Sequence, residues 1–247
     1  MKLSVVIPAR DEAGSIMETV NGAVAVLERE SIDYEVLVID DGSKDQTRTL
    51  VEEAGKTNSR IRCRPSPYSG GFGLAVRAGL EEFEGDGVVV MMADCSDDPE
   101  DLVMYHHILD EGWDCAFGSR FMPGAVVTNY PRIKLVVNRM ANAFVNVIFR
   151  LGYNDTTNAF KAYRREVIET IGPLLSKHFN LTVEMPLKAV TRGHSFKVVP
   201  TSWTNRTSGE AKLAMREMGS RYLFIVLYTW LEYHLSRGDY RKAERRS

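Results

Sequence analysis

Carboxylates stand where apolar runs end in this sequence. In 88–102, VVVMMADCSDDPEDL, three valines and two methionines lead into Asp94, Asp97, Asp98, Glu100 and Asp101. In 34–43, YEVLVIDDGS, another apolar run closes on Asp40 and Asp41. Carboxylate oxygens there could hold a hard divalent cation, or accept hydrogen bonds from a ribose or nucleobase. Two more run ends carry usable groups. PARDE supplies Pro8, Arg10 and Glu12, and GSR supplies Arg120. An arginine fork suits phosphate oxygens.

Some of these acids have a plainer use. Asp98 before Pro99 reads as a helix N-cap and first position, with Glu100 and Asp101 in the turn where the helix dipole favours acids. Asp97 is undecided between the two uses. Asp41 or Ser43 can cap the next helix, and Ser43 and Gln46 have capping-box spacing. Two aspartates and a serine leave room for capping and binding together.

Familiar nucleotide and hydrolase motifs are missing. There is no GxxxxGK[ST], GxSxG or HExxH. GGFG at 70–73 gives a GxG without the third glycine of a dinucleotide fingerprint, and it follows the third strand rather than the first. His106 and His107 are adjacent on a helix and point different ways. Cys63, Cys95 and Cys115 lie far apart, with no CxxC or zinc spacing, so a reducing compartment and no structural metal are expected. The 247 residues carry a net charge of −2, which excludes a polycationic nucleic-acid binder. The apolar stretch at the N-terminus is too short for a signal-peptide core. No segment reaches the roughly 20 apolar residues of a spanning helix.

The elements that must place these groups alternate between strand and helix. Strands are expected at LSVVIPA, YEVLVIDDGS, RIRCRP, GVVVMMA and WDCAFGSR. Helices are expected near 15–30, 43–53 and 74–83, and from Asp98 onward. Continuous apolar strands between helices indicate a parallel sheet covered on both faces, with ligands at the carboxyl ends of its strands. The second half reads as helices near 134–151, 165–171, 181–192 and 216–236, with a strand at SFKVVPTSW.

Six segments occur in order: SVVIPARDE, VIDDGSKDQT, MADCSDDPEDL, FGSR, DTTNAFKAYRREV and NRTSGEAKL. Together they resemble the inverting nucleotide-sugar glycosyltransferases of the dolichol-phosphate mannosyltransferase (polyprenyl-phosphate glycosyltransferase) type, over Leu3 to Leu213. The resemblance implies an α/β GT-A fold for 1–213, with a Rossmann-like, mostly parallel sheet flanked by helices. Residues 214–247 form a C-terminal apolar helix and basic tail. The implied reaction moves mannose or glucose from a GDP- or UDP-linked donor to a polyprenyl or dolichyl phosphate, with Mg²⁺ or Mn²⁺ and inversion at the anomeric carbon. The implied setting is the cytoplasm or the cytoplasmic face of a membrane, with no nucleic-acid partner and with a homo-oligomer left open. A soluble sugar or protein acceptor, or a binder without catalysis, are the alternatives.

Carried over residue by residue, Pro8, Arg10 and Glu12 match the first nucleotide-binding loop, and Asp41 the base- or ribose-binding aspartate. Ala93, Asp94 and Ser96 match the DxD-like motif, with Asp94 and Ser96 as metal ligands. Arg120, Lys134 and Arg206 match the cations that grip donor and acceptor phosphates, with Arg132 an alternative to Lys134. Asn138 falls near the acceptor phosphate. Asp155 positions the acceptor or anchors a catalytic cation. The expected catalytic group is therefore Asp94, Arg120, Lys134 and Asp155. A phosphate monoester is already an anion and needs orientation more than a general base.

Departures from the pattern are informative. Met92 replaces the first acid of the DxD-like motif, and a thioether is a poor ligand for Mg²⁺. Phe72 stands where relatives have a lysine, and Asn158 and Ala159 replace Ser-Gly. Glu184 is read either as paired with a buried arginine or as touching sugar. YLFIVLYTWL at 222–231, with basic residues on both sides, is read either as buried against the domain or a second copy, or as lying in a membrane interface.

Overall fold

The computed structural model describes residues 1–205 and 215–242. Its strands are β1 (Leu3–Ala9), β2 (Tyr34–Asp40), β3 (Ile61–Pro65), β4 (Gly87–Val90), β5 (Cys115–Ser119), β6 (Val127–Thr128), β7 (Lys161–Arg164), β8 (Phe196–Pro200) and β9 (Trp203–Thr204). Its helices are α1 (Ile16–Arg29), α2 (Thr47–Thr57), α3 (Phe72–Glu82), α4 (Asp101–Asp110), α5 (Arg132–Phe149), α6 (Arg165–Thr170), α7 (Leu181–Thr191) and α8 (Met215–Leu235).

Every residue of β1, β2 and β4 is buried, which is why these segments read as unbroken apolar runs. They sit mid-sheet in the order β3-β2-β1-β4-β7-β5-β8. Alternate side chains then serve two cores. Val5 and Ile7 face α1, α2 and α4, packing with Ile16, Val51 and Leu102. Val6, Leu37 and Ile39 face the other side, with residues of α3, α7 and α8. Full burial of each such aliphatic side chain contributes about 1.5–3 kcal/mol. Gly79 of α3 lies so close to Val6 that a Cβ there would overlap it.

β7 is a difference from the sequence expectation. It runs antiparallel between β4 and β5, pairing Val88 with Tyr163 and Ala116 with Ala162. Its KAYR sequence has a charged residue at each end and four residues in all, so no apolar run marks it. A second small sheet pairs β6 with β9 in parallel.

Three boundaries also move. α2 starts at Thr47, and its N-cap Gln46 makes no side-chain cap. The hydroxyl of Ser43 instead accepts the Asp11 N–H at 3.0 Å, and Asp45 accepts the Ala13 and Thr47 N–H groups, tying two loops together. α4 starts at Asp101. Asp98 forms a turn, accepting the Glu100 N–H on its carboxylate at 3.1 Å. β4 stops at Val90 because the chain turns into the loop that carries Asp94.

α8 packs on α7, burying Ile225, Val226 and Thr229. The Tyr222 hydroxyl donates to the Phe179 carbonyl at 3.2 Å, and Arg192 pairs with Glu232 at 2.9 Å. Other side chains of α8, among them Phe224, Leu227 and Leu231, stay exposed, so the helix is buried against the domain along one side only. Among the described residues, no helix is long and apolar enough to cross a membrane.

Candidate active site

One end of the site forms where β1, β2 and the turn before α3 meet. Asp41 follows β2 and is 8% exposed. Its N–H donates to the Ala9 carbonyl at 2.8 Å, fixing it beside the end of β1. Oδ2 accepts the Gly71 N–H at 2.8 Å and lies 3.8 Å from Arg10 Nη1. Oδ1 is buried with no hydrogen-bond partner. An unsatisfied buried acceptor costs about 1–3 kcal/mol, which a ligand N–H or O–H would recover. The turn itself needs glycine: Gly70 and Gly71 have φ of +85° and +136°. Phe72 stacks on Phe179 at 4.2 Å and joins α3 to the segment before α7. Pro8 is buried within β1. Glu12 shapes the loop: its N–H donates to Thr47 and its carbonyl accepts from Ser15 and Ile16 at the start of α1.

The loop 91–98 is pinned on every side. Thr19 donates to the Ala93 carbonyl at 3.2 Å, so Ala93 serves by its backbone. Cys95 takes a left-handed φ of 58°, uncommon for a residue with a Cβ. Ser96 donates its N–H to Asp94 Oδ1 at 3.2 Å, and its carbonyl accepts the Thr204 N–H at 2.9 Å. Asp97 accepts the Met92 N–H at 2.9 Å and bridges through its backbone to Trp203. It is therefore the pin of this loop, not part of a helix start. Burial pushes its carboxyl up to about 7; the Met92 N–H and Arg120 oppose this and the Asp94 charge adds to it. Asp94 is thus presented on a loop whose backbone is tied down at Met92, Ala93, Ser96 and Asp97.

The other end is built on β5 and the segment before β7. Arg120 leaves β5 and meets Asp155 three times. Nε and Nη2 donate to the two carboxylate oxygens at 2.8 Å each, and the backbone N–H donates at 2.9 Å. Asp155 is fully buried and the Arg120 side chain is 8% exposed. A buried pair of this kind orients groups more than it stabilises the fold. Burial favours the neutral guanidine, yet Asp155 outweighs it and holds Arg120 charged. Arg120 also donates to Thr157 at 3.3 Å, and Thr157 accepts from Asn138 of α5 at 2.8 Å.

Tyr130 and Trp203 line this end. Arg120 lies 5.7 Å from each ring centroid, and Lys134 Nζ lies 5.9 and 5.7 Å from the same two. Two cations therefore share one aromatic pair, and Trp203 connects them to the Asp94 loop through its bridge to Asp97. Such a pair can hold anionic phosphate at one place.

Arg206 and the rest of its motif after Asn205 lie outside the described residues, as do Arg245 and Arg246. Arg132 is an exposed residue at the start of α5, whereas Lys134 reaches the aromatic pair. Glu184 has neither expected role. Fully buried, it accepts the Leu175 and Ser176 N–H groups at 2.7 Å and pairs with Lys188 at 2.8 Å, clamping the start of α7.

Sequence reasoning missed Thr157, Asn142, Tyr130, Trp203 and Lys161. Lys161 is fully buried in β7, donating to the carbonyls of Thr156, Asn158 and Thr182, so it holds the loop that carries Asp155. Its position in DTTNAFK, the one cation after a polar run, was the available signal.

Among the described residues, no three acidic, histidine or cysteine side chains converge to hold a metal ion. Asp94 offers a hard oxygen donor, and Met92 adds no second one. This donor set fits a cation that draws its other ligands from a bound diphosphate.

A family description, Glycosyl transferase family 2, matches residues 4–172. Polyprenol monophosphomannose synthase of Mycolicibacterium smegmatis is 35% identical over 185 residues, 72% of this chain and 70% of that protein. Glycosyltransferase AglD of Haloferax volcanii is 30% identical over 236 residues, which are 93% of this chain and 37% of AglD. Glucosyl-3-phosphoglycerate synthase from Mycobacterium tuberculosis, solved with Mn²⁺, UDP and glucosyl-3-phosphoglycerate, shares the fold with a TM-score of 0.70 at 19% identity, covering 94% of this chain and 79% of that one. With a mostly parallel sheet, carboxylates at its strand ends and this span of matched sequence, the chain belongs to glycosyltransferase family 2 and is a glycosyltransferase of GT-A-like fold.

Proposed function

We propose that this glycosyltransferase moves a hexose, mannose or glucose, from a GDP- or UDP-linked donor to a polyprenyl phosphate, inverting the anomeric carbon. The observation that carries this reading is the pair of cations, Arg120 and Lys134, over Tyr130 and Trp203. Asp155 is saturated by Arg120, and Asp97 is committed to the Met92 N–H. Neither is placed to take a proton from a sugar hydroxyl. An acceptor that arrives already ionised, held by cations, suits such a site.

In this reading the base or ribose donates to Asp41 Oδ1, with Pro8, Arg10 and Glu12 forming the floor of the nucleotide loop. The diphosphate extends toward Ala93, Asp94 and Ser96. Asp94, with Ser96, would hold Mg²⁺ or Mn²⁺ together with that diphosphate, and the cation would neutralise charge on the leaving group. Arg120, with Lys134 and Arg206, orients the acceptor phosphate, and Asn138 fixes the Thr157 hydroxyl beside it. An acceptor oxygen attacks the anomeric carbon as the bond to the diphosphate breaks, and the electron pair leaves on the diphosphate. One displacement inverts the centre. Residues 1–213 form the catalytic unit and 214–247 its lipid-facing helix and tail, at the cytoplasmic face of a membrane.

The name of the mycobacterial relative supports a polyprenol acceptor, and the Mn²⁺ and UDP bound by glucosyl-3-phosphoglycerate synthase support a nucleotide donor. The test is transfer by purified protein, with labelled GDP-mannose or UDP-glucose, Mn²⁺ and polyprenyl phosphate in detergent. Label in the organic extract is expected. Transfer only to a water-soluble acceptor, or donor binding without transfer, would overturn the proposal.

A further inference from the structure

The glycine turn beside Asp41 is pressed between two walls. On one side stand the Asp41 carboxylate and Arg10, which a Cβ on Gly70 would approach to 3.9 and 3.4 Å. On the other runs the segment before α7. A Cβ on Gly71 would come within 2.6 Å of the Lys177 carbonyl oxygen. One on Gly73 would come within 2.7 and 2.8 Å of the Ser176 and His178 carbonyl oxygens. Glycine is what lets the two backbones touch. Phe72 completes the contact, its ring 4.2 Å from that of Phe179 and tilted by only 11°.

The second wall is anchored independently of the turn. Glu184 accepts the Leu175 and Ser176 N–H groups, and Lys188 pairs with Glu184 and donates to the Pro173 carbonyl. Lys161 reaches from β7 to the Thr182 carbonyl at 3.3 Å. Phe179 is held by its own carbonyl, which accepts from the Thr182 hydroxyl at 2.8 Å and from the Tyr222 hydroxyl of α8 at 3.2 Å. The stack thus ties the turn to a surface that stays in place when the stack is removed.

Asp41 depends on that placement. The Gly71 N–H engages Oδ2 at 2.8 Å, and this bond sets the rotation of the carboxylate that leaves Oδ1 buried and open. A ligand gains most from an acceptor that is already aimed, since no ordering cost is left to meet on binding.

We propose that Phe72 and Phe179 are positioning residues for the nucleotide, acting through Gly71 on Asp41, and that α8 reaches the donor end of the site through Tyr222 and Phe179. This rests on the reading of Asp41 as the ligand of the base or ribose. It gives the inner side of α8 a part in donor binding, separate from the cations at the acceptor end.

The test is calorimetric titration of the full chain with GDP and with UDP, each with Mn²⁺. Phe72→Leu and Phe179→Leu keep apolar bulk but lose the stacked ring. Either should weaken the tighter-binding nucleotide by roughly two- to tenfold, what an aromatic pair contributes beyond its buried area. Phe179→Tyr should bind as wild type. Tyr222→Phe loses only the hydroxyl and should weaken binding by roughly twofold or more, as for one hydrogen bond. At saturating donor, the leucine variants should keep the wild-type KM for polyprenyl phosphate, which a general loosening of the fold would raise. Combining Phe179→Leu with Asp41→Asn should give less than the product of the two losses, because one acts through the other. Leucine variants that bind like wild type while Asp41→Asn binds weakly, or losses that multiply in the double variant, would overturn the proposal. So would a KM for polyprenyl phosphate that rises as much as the nucleotide Kd. Tyr222→Phe binding as tightly as wild type would overturn the part given to α8. Asp41→Asn with unchanged affinity would instead overturn the Asp41 reading, and this proposal with it.

Discussion

Replacing Asp155 with asparagine should disable the enzyme while leaving donor binding intact. The carboxylate receives three N–H groups of Arg120 at 2.8–2.9 Å and is fully buried. Asparagine keeps the shape but offers one acceptor oxygen in place of two, and no charge. Each hydrogen bond to a charged group contributes about 1.5–3 kcal/mol. Losing one or two of them frees the guanidinium to turn from the acceptor, which at 1.36 kcal/mol per decade amounts to about 10- to 10⁴-fold in kcat/KM. Leaving Arg120 buried without its counter-ion also costs about 3–5 kcal/mol of stability, so the assay belongs well below the lowered melting temperature. The measurement is kcat/KM for polyprenyl phosphate, beside nucleotide affinity by thermal shift, for Asp155→Asn, Arg120→Lys and the double variant. The double variant should be little worse than either single one, because both break one unit. Asp155→Asn with acceptor kcat/KM within twofold of wild type, or losses that simply multiply in the double variant, would refute the orienting role of this pair.

Three further outcomes follow from the geometry. Asp41→Asn should weaken nucleotide binding roughly tenfold, because a buried acceptor contributes about 1–3 kcal/mol when it finds its donor; unchanged affinity in calorimetry would remove Asp41 from the site. Mn²⁺ should bind only in the presence of a nucleoside diphosphate, since the described residues gather no three metal-ligating side chains; electron paramagnetic resonance showing tight Mn²⁺ binding by the protein alone would contradict this. Asp97 titrates near 7 when folded and near 3.8 as a free side chain, so between these values the folded protein holds a proton that the unfolded chain has lost. That group therefore withdraws stability as pH rises from about 4 to 7, by on the order of 4 kcal/mol. Asp97→Asn keeps an oxygen for the Met92 N–H and should flatten that slope in urea titrations; an unchanged slope would assign it elsewhere.

The ends of β1, β2 and β5, and the loop that follows β4, were legible because an apolar run stopping at a carboxylate or arginine is a local pattern. Asp41, Asp94 and Arg120 were visible as candidates for that reason. The partner of Arg120 was not, since Asp155 lies 35 residues away and reaches it only once β7 is threaded between β4 and β5. β7 itself hid behind Lys161 and Arg164, whose charges are taken up by backbone carbonyls that no sequence pattern announces. Ser43 and Gln46 had capping-box spacing, yet tertiary ties between loops claimed the serine. Asp97 looked like one acid among five, and only the turn of the chain after Val90 gives it the Met92 N–H to hold.

The anomeric configuration of the lipid product is the most direct test of the proposed transfer. Purified protein given GDP-mannose or UDP-glucose, both α-linked, should form a polyprenyl phosphate hexose whose anomeric signals in NMR are those of the β-linkage. An α-linked lipid product would mean retention and contradict a single displacement by an ionised acceptor; no lipid-linked hexose from either donor would contradict the account as a whole.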